Sequence, residues 1–341
     1  MDKRRKIRVL VVDDSLLFRE MLVKILSSDP QIEVVAVAAD PFEARDKIIE
    51  VLPDVLTCDV EMPKMNGIEF VRWLLPQHFF PVVMVSSVDK TVFEAMSAGA
   101  VDFVVKPGTQ SSKAVMEFAE DLVQKIKAAA GAKPTLQKHE ESFANVSGNI
   151  AQDTDRIVAI GASTGGTEAI YSILRYLPPT IPGIVIVQHI PPVFSKMFAE
   201  RMDNQTKLCV KEAETGDFAD QGTVLIAPGD RHMRIKKIGW RYQVECFRGE
   251  KVNGHCPSVD VLFDSVAKEA GGSAIGIQLT GMGYDGAKGL LAIRRKGGRT
   301  IGQDEASSIV YGMPRVAFDI GGVEIQAALS NIPKVLFNLL K

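Results

Sequence analysis

Two α/β domains, each a doubly wound sheet of mainly parallel strands, are predicted by three observations. At 341 residues the chain is longer than one ordinary core serves. Short apolar runs alternate with longer amphipathic stretches, as expected where helices cover both faces of a parallel sheet. The alternation is broken once, at residues 128–154 (AAAGAKPTLQKHEESFANVSGNIAQDT), which lack a sustained apolar period. That stretch reads as a flexible linker between a first domain, 1–127, and a second, 155–341.

Composition excludes several classes. Apolar content of 46% and charged content of 24% are those of a globular protein. A formal net charge of −2 gives no support for nucleic-acid binding, and the basic run Lys3 to Lys6 reads as a solvated terminus. No apolar run is long enough to span a bilayer, and the charged N-terminus lacks the apolar core of a signal peptide, so no membrane insertion is expected. The four cysteines, Cys58, Cys209, Cys246 and Cys256, have no paired spacing. They form neither a disulfide framework nor a zinc site, and Cys256 with its neighbour His255 does not make a tetrahedral one. A reducing, cytoplasmic location follows.

In the first domain the runs IRVLVV, EVVAVA, VLTCDV, PVVMVS and DFVVK read as strands, and the stretches between them carry helical periodicity. Five such repeats predict a five-stranded, doubly wound, flavodoxin-like sheet, in which ligands sit beyond the carboxyl ends of the strands. That rule gathers Asp13 and Asp14 after the first strand, Asp59 at the third, Ser86 at the fourth and Lys106 after the fifth. Three carboxylates with a lysine suit a hard divalent cation such as Mg²⁺, and a carboxylate there can accept a phosphoryl group. Any one of these acids alone would read as a helix cap. Five polar residues at successive strand ends do not.

The strings VVDDS, CDVEMPKMNG, VSS and KP make the first domain similar to response-regulator receiver domains. The resemblance implies Asp59 as phosphoacceptor, with Asp14 as the main Mg²⁺ ligand and Asp13 assisting. It implies a further ligand in the backbone carbonyl of Glu61, and Ser86 and Lys106 as sensors of the phosphoryl group. Phe103 falls at the aromatic switch position without the hydroxyl often found there. Asn66 stands where the family usually has Asp, at a turn position, and no loss of phosphorylation is expected from it.

The second domain opens on RIVAIG, which breaks into ASTGGT and resumes as the helix pattern EAIYSILRYL. Such a strand–turn–helix can cradle a dinucleotide pyrophosphate or expose a serine nucleophile. A dinucleotide site wants an acid at the end of the next strand, and GIVIVQH ends instead in His189. A third run, AIGIQLT, leads through GMGYDG and places Asp285 beyond its end. Ser163, His189 and Asp285 thus share one sheet edge, the equipment for acyl transfer. Taken singly, each reads as a turn, structural or capping residue. RIKKIGWRYQVECF reads as a β-hairpin. Met197, Met202 and Met313 read as core filling.

The strings GASTGG, VQHIPP, IAPGDRHM, CPSVDVLF, LTGMGYDGAKG and ASSIVYGMPRVA recur, in order, in the catalytic domain of chemotaxis protein-glutamate methylesterases, which this domain resembles. The resemblance implies a phosphorylation-regulated serine hydrolase, with Ser163 as nucleophile, His189 as base and acid, and Asp285 as orienter. Thr164 and Met282 match positions of the oxyanion hole. It implies demethylation of glutamyl methyl esters, with release of methanol, and deamidation of selected glutamines on methyl-accepting chemotaxis receptors. It further implies a chemotaxis histidine kinase as phosphodonor, no cofactor for hydrolysis, and an unphosphorylated receiver that obstructs the Ser163 edge. Arg231 and His232 line the substrate cleft on one reading and belong to a solvated loop on another.

Overall fold

A computed structural model describes residues 5–77, 80–87, 91–108, 111–132 and 155–341. The chain divides into two compact units, Met1–Pro134 and Thr135–Lys341. Most of the expected linker, residues 133–154, lies outside the described residues.

In the first unit, strand and helix alternate through β1 (Ile7–Val12), α1 (Leu16–Ser27), β2 (Ile32–Ala38), α2 (Pro41–Val51) and β3 (Val55–Asp59). They continue with α3 (Gly67–Leu74), β4 (Val82–Ser86), α4 (Thr91–Ser97), β5 (Asp102–Val105) and α5 (Ser112–Ala129). The sheet order is β2-β1-β3-β4-β5, and every pairing is parallel. The order reverses beside β1, so the crevice between the ends of β1 and β3 is the natural binding position. Helices start where short polar side chains satisfy free backbone N–H groups. Ser15 caps α1, Asp40 caps α2, and Asn66 with Glu69 forms a capping box on α3. Asn and Asp are near-equivalent caps, which accounts physically for Asn66 at that position. Helix α5 runs to Ala129, two residues past the domain end expected from sequence, because the strongly helix-forming alanines continue it.

The second unit contains β6 (Ile157–Ala162), α6 (Gly166–Leu174), β7 (Ile184–Gln188), α7 (Pro192–Gln205), β8 (Cys209–Glu212) and β9 (Thr223–Ile226). The expected hairpin follows as β10 (His232–Ile238) and β11 (Arg241–Phe247), antiparallel and separate from the main sheet. Then come α8 (Val259–Glu269), β12 (Ala274–Gln278), α9 (Ala287–Arg295), β13 (Arg299–Gln303), α10 (Met313–Asp319), β14 (Ile325–Ala327) and α11 (Ile332–Leu340). The sheet is seven-stranded and parallel throughout, in the order β14-β13-β12-β6-β7-β9-β8. Its switch point lies between β6 and β12.

Strands β6, β7 and β12 are buried along their whole length, so their inward and outward residues are alike apolar. Each of β7, β12 and β13 nevertheless ends in a buried glutamine, Gln188, Gln278 and Gln303. Helix α8 packs so closely on β6 that a Cβ on Gly161 would lie 2.2 Å from Val259 Cγ1. Met202 and Met313 are fully buried, as core filling requires, whereas Met197 is only half-buried. Among the described residues no helix is long and apolar enough to cross a membrane.

Gly161→Ala is expected to destabilise the second unit by about 1–3 kcal/mol through overpacking. Adding Val259→Ala makes room and should recover much of that loss. Denaturant unfolding of the two single variants and the double variant measures the coupling, and strict additivity would refute the close-packing explanation.

Candidate functional site

Ser163 follows the last residue of β6, on a turn fixed at both of its backbone groups. Its N–H donates to the Thr280 carbonyl at 3.0 Å, and its carbonyl accepts from the Gly166 N–H at 2.7 Å and from Gln188 Nε2 at 2.9 Å. Thr280 Oγ1 donates to the Thr164 carbonyl at 3.0 Å, so the segments after β6 and β12 are stitched together across the switch point. Gly281 passes close enough that a Cβ there would sit 2.7 Å from Ser163 Cβ and 2.4 Å from Met313 Sδ. Thr164 is buried, and Met282, beside Gly281, is 41% exposed.

His189 follows β7, and its N–H donates to the Ala162 carbonyl at 3.1 Å, which sets it next to the Ser163 turn. Its Nε2 lies 2.9 Å from Asp285 Oδ2. One face of its ring stacks on His255, with centroids 3.7 Å apart and planes within 11°. Among the described residues its Nδ1 is buried without a hydrogen-bond partner. An ionised Asp285 only accepts, so the hydrogen-bond network assigns the proton of a neutral ring to Nε2 and leaves Nδ1 as the acceptor.

Asp285 is buried and accepts on both oxygens. Ser258 Oγ donates to it at 2.7 Å and Asn253 Nδ2 at 2.8 Å, and the Val259 and Asp260 N–H groups donate at 2.6 and 3.2 Å. Those two backbone donors open α8, so the charge sits at the positive end of a helix. Asp285 therefore caps α8 and not α9, which begins two residues after it. Burial by itself pushes the carboxyl up, but the hydrogen bonds and charge of His189, with Asn253 and Ser258, outweigh it and hold Asp285 well below the usual carboxylate range. Burial first, and the His189 charge next, push His255 down to about 4. His255 is thus neutral at physiological pH.

Other expectations meet different outcomes. His232 does not sit in a solvated loop. It is buried on β10, with Nε2 2.8 Å from the Glu250 carbonyl and Nδ1 accepting the Ser258 N–H at 3.2 Å, while Arg231 is exposed. Asn253, His255, Ser258 and the strand-end glutamines went unremarked as site residues in the sequence. A polar residue ending three apolar runs was the available signal for the glutamines. Nothing local marked the others.

In the first unit, Lys106 Nζ lies 2.6 Å from Asp59 Oδ2 and 2.8 Å from Asp13 Oδ2. The Ser15 N–H holds Asp13 Oδ1 at 2.9 Å, and the Glu61 N–H donates to Asp59 Oδ1 at 3.3 Å. Asp13 and Asp59 are buried and Asp14 is exposed, and all three offer an oxygen within 4.8 Å of the others. That oxygen-only set, open on one side, fits a hard divalent cation. Burial pushes Asp59 up to about 6, although Lys106 opposes it. Ser86 is buried, with Oγ donating to the Ser87 carbonyl at 2.9 Å. Phe103 is buried edge-on to Phe93, with Lys125 Nζ 5.0 Å above its ring.

The fold and the two donor sets define a receiver unit joined to an α/β enzyme unit. Residues 9–116 match the family model described as the response regulator receiver domain, and residues 158–336 match the one described as CheB methylesterase. The chain is 54% identical to protein-glutamate methylesterase/protein-glutamine glutaminase 2 of Syntrophomonas wolfei, over 98% of both chains. It is 48% identical to the protein-glutamate methylesterase/protein-glutamine glutaminase of Syntrophotalea carbinolica, again over 98% of both. A crystal structure of the Thermotoga maritima CheB methylesterase catalytic domain matches with a TM-score of 0.53 at 38% identity, covering 54% of this chain and 98% of that one. The chain belongs to the CheB methylesterase family.

A carboxyl that is harder to ionise in the folded protein than in the unfolded chain stabilises the fold below its ordinary pKa of 3.8 and loses that contribution as pH rises through about 6. Asp59→Asn should therefore raise the melting temperature of the receiver unit by about 3–4 °C per kcal/mol recovered at about pH 7.5 without divalent metal. The gain should shrink at about pH 5. A variant that melts below wild type at the higher pH would contradict this balance.

Proposed function

We propose that Ser163, His189 and Asp285 carry out ester hydrolysis on glutamyl methyl esters of methyl-accepting chemotaxis receptors, under control of phosphorylation at Asp59. The protein is an enzyme of the protein-glutamate methylesterase and protein-glutamine glutaminase kind. The observation that carries the mechanism is the buried acceptor His189 Nδ1, unpartnered among the described residues. It belongs to a residue whose backbone N–H bonds Ala162, next to Ser163, and whose Nε2 is tied to Asp285.

Ser163 Oγ attacks the ester carbonyl as its proton passes to His189 Nδ1. The tetrahedral oxyanion faces the backbone N–H groups of Thr164 and Met282. Such a donor is worth about 3 kcal/mol, judged from the loss of one. Collapse expels the alcohol oxygen, which takes the proton back from Nδ1 and leaves as methanol. Water then attacks the acyl-enzyme with the same base, freeing the glutamate and Ser163. Asp285 stays ionised throughout, because its donors hold it far below neutral pH, and it steadies the imidazolium. A receptor glutamine passes through the same intermediate and releases ammonia.

In the receiver, Asp13, Asp14, Asp59 and the Glu61 carbonyl would hold Mg²⁺, which neutralises charge on a transferring phosphoryl group. Asp59 is the acceptor from a phosphohistidine of the chemotaxis kinase. Lys106 and Ser86 pair with the phosphoryl oxygens, and Phe103 follows their rearrangement. Phosphorylation relieves an inhibitory action of the receiver on the enzyme unit. The protein acts in the cytoplasm.

Methanol release from methylated receptors tests both halves. Ser163→Ala should reduce the rate by at least about 10³-fold, and undiminished release would sink the serine mechanism. Asp59→Asn should keep the basal rate and lose stimulation by a phosphodonor. Stimulation that survives it would remove Asp59 from the regulatory role.

A further inference from the structure

Asp285 has a second buried carboxylate for a neighbour. Asp260 lies on the first turn of α8, with Oδ1 accepting the Gly289 N–H at 2.7 Å. Burial pushes its carboxyl up, and the Asp285 charge adds to that. Two like charges held so close repel unless donors stand between them. One side chain does. Asn253 Nδ2 is 2.8 Å from Asp285 Oδ1 and 2.7 Å from Asp260 Oδ2, so its two amide hydrogens serve one carboxylate each.

The backbone of the same segment explains why the amide is held there. Val252 and His255 exchange N–H···O bonds of 3.0 Å in each direction, closing a two-residue turn. Its central residues, Asn253 and Gly254, have φ of 54° and 85°. Asn-Gly is the pair that most readily takes this left-handed turn. One residue beyond it, His255 lies flat against the His189 ring. A single short turn therefore touches both partners of the His189–Asp285 pair.

We infer that Asn253 is a positioning residue for hydrolysis: its amide bridges Asp285 to Asp260 and fixes the direction in which Asp285 faces His189. This rests on the reading of Ser163, His189 and Asp285 as the reacting groups. An aspartate at 253 would keep the shape and the turn but place a third carboxyl between two carboxylates, one that takes up a proton there and then donates to one of them at most. The charged and titratable groups around Asp285 and Asn253 are His189 after β7, His255 on the turn and Asp260 on α8, with Asp264 and Lys251 farther out.

The test uses the full chain, with methanol release from methylated receptor followed over a range of receptor concentrations. Asn253→Asp and Asn253→Gly both suit the left-handed turn, and the glycine variant guards against a misfolded aspartate variant. In both, kcat is expected to fall about 10- to 100-fold, with KM within about twofold. A merely structural Asn253 would lower the melting temperature only. Unchanged kcat per folded molecule in either variant overturns the inference. Ser163→Ala assayed alongside separates the failures: if it alone abolishes release, only the role of Asn253 falls, whereas undiminished release by it removes the underlying mechanism.

Discussion

The charge on Asp285 is kept out of water at the edge of the larger sheet, and much of the second unit is arranged around solvating it with protein donors. An isolated carboxylate so placed would take up a proton. Two backbone N–H groups at the head of α8, a hydroxyl from Ser258, an amide from Asn253 and the His189 ring supply what water would. The position of α8 against β6, with its close contact at Gly161, and the route of the chain through residues 252–260 bring those donors to one point. His189 then has one nitrogen committed and the other left as an acceptor.

The receiver unit solves the opposite problem with the same topology. It too places acids at a switch point, but three of them crowd together and one lysine answers for two. Backbone donors are few there, so burial lifts Asp59 toward neutrality where Asp285 is held down. Surplus negative charge makes that edge ready for a hard cation, and full satisfaction makes the other edge ready to stabilise a positive ring. Electrostatic balance, more than fold, separates the two chemistries.

The first sheet, three strands of the second (β6, β7 and β12) and the parallel character of both were legible in the sequence. So were the strand ends, and the segments after them, that carry Asp13, Asp59, Ser163, His189 and Asp285, whereas β8, β9, β13 and β14 were not. Apolar runs that stop abruptly at polar residues report a buried strand reaching a sheet edge, and the edge is where a parallel fold exposes side chains to ligand. His232 misled, because a histidine in a polar-looking string gives no sign that it starts a buried strand of the hairpin. His255 and Asn253 were invisible as site residues. They reach the site from a loop whose place depends on how α8 packs, information that no local pattern contains.

The amino-acid sequence by itself determined the two-unit α/β organisation, the strand ends and the residue types gathered there, because periodicity and turn chemistry are local properties of the chain. Tertiary structure alone decided which groups surround each of those residues. It tied His189 to Asp285 through Nε2, set Asp285 at the start of α8 instead of α9, and brought Asn253 between two carboxylates. Those outcomes depend on distances between segments far apart in the chain, set by how helices pack on a twisted sheet, and it is such distances that govern buried charge.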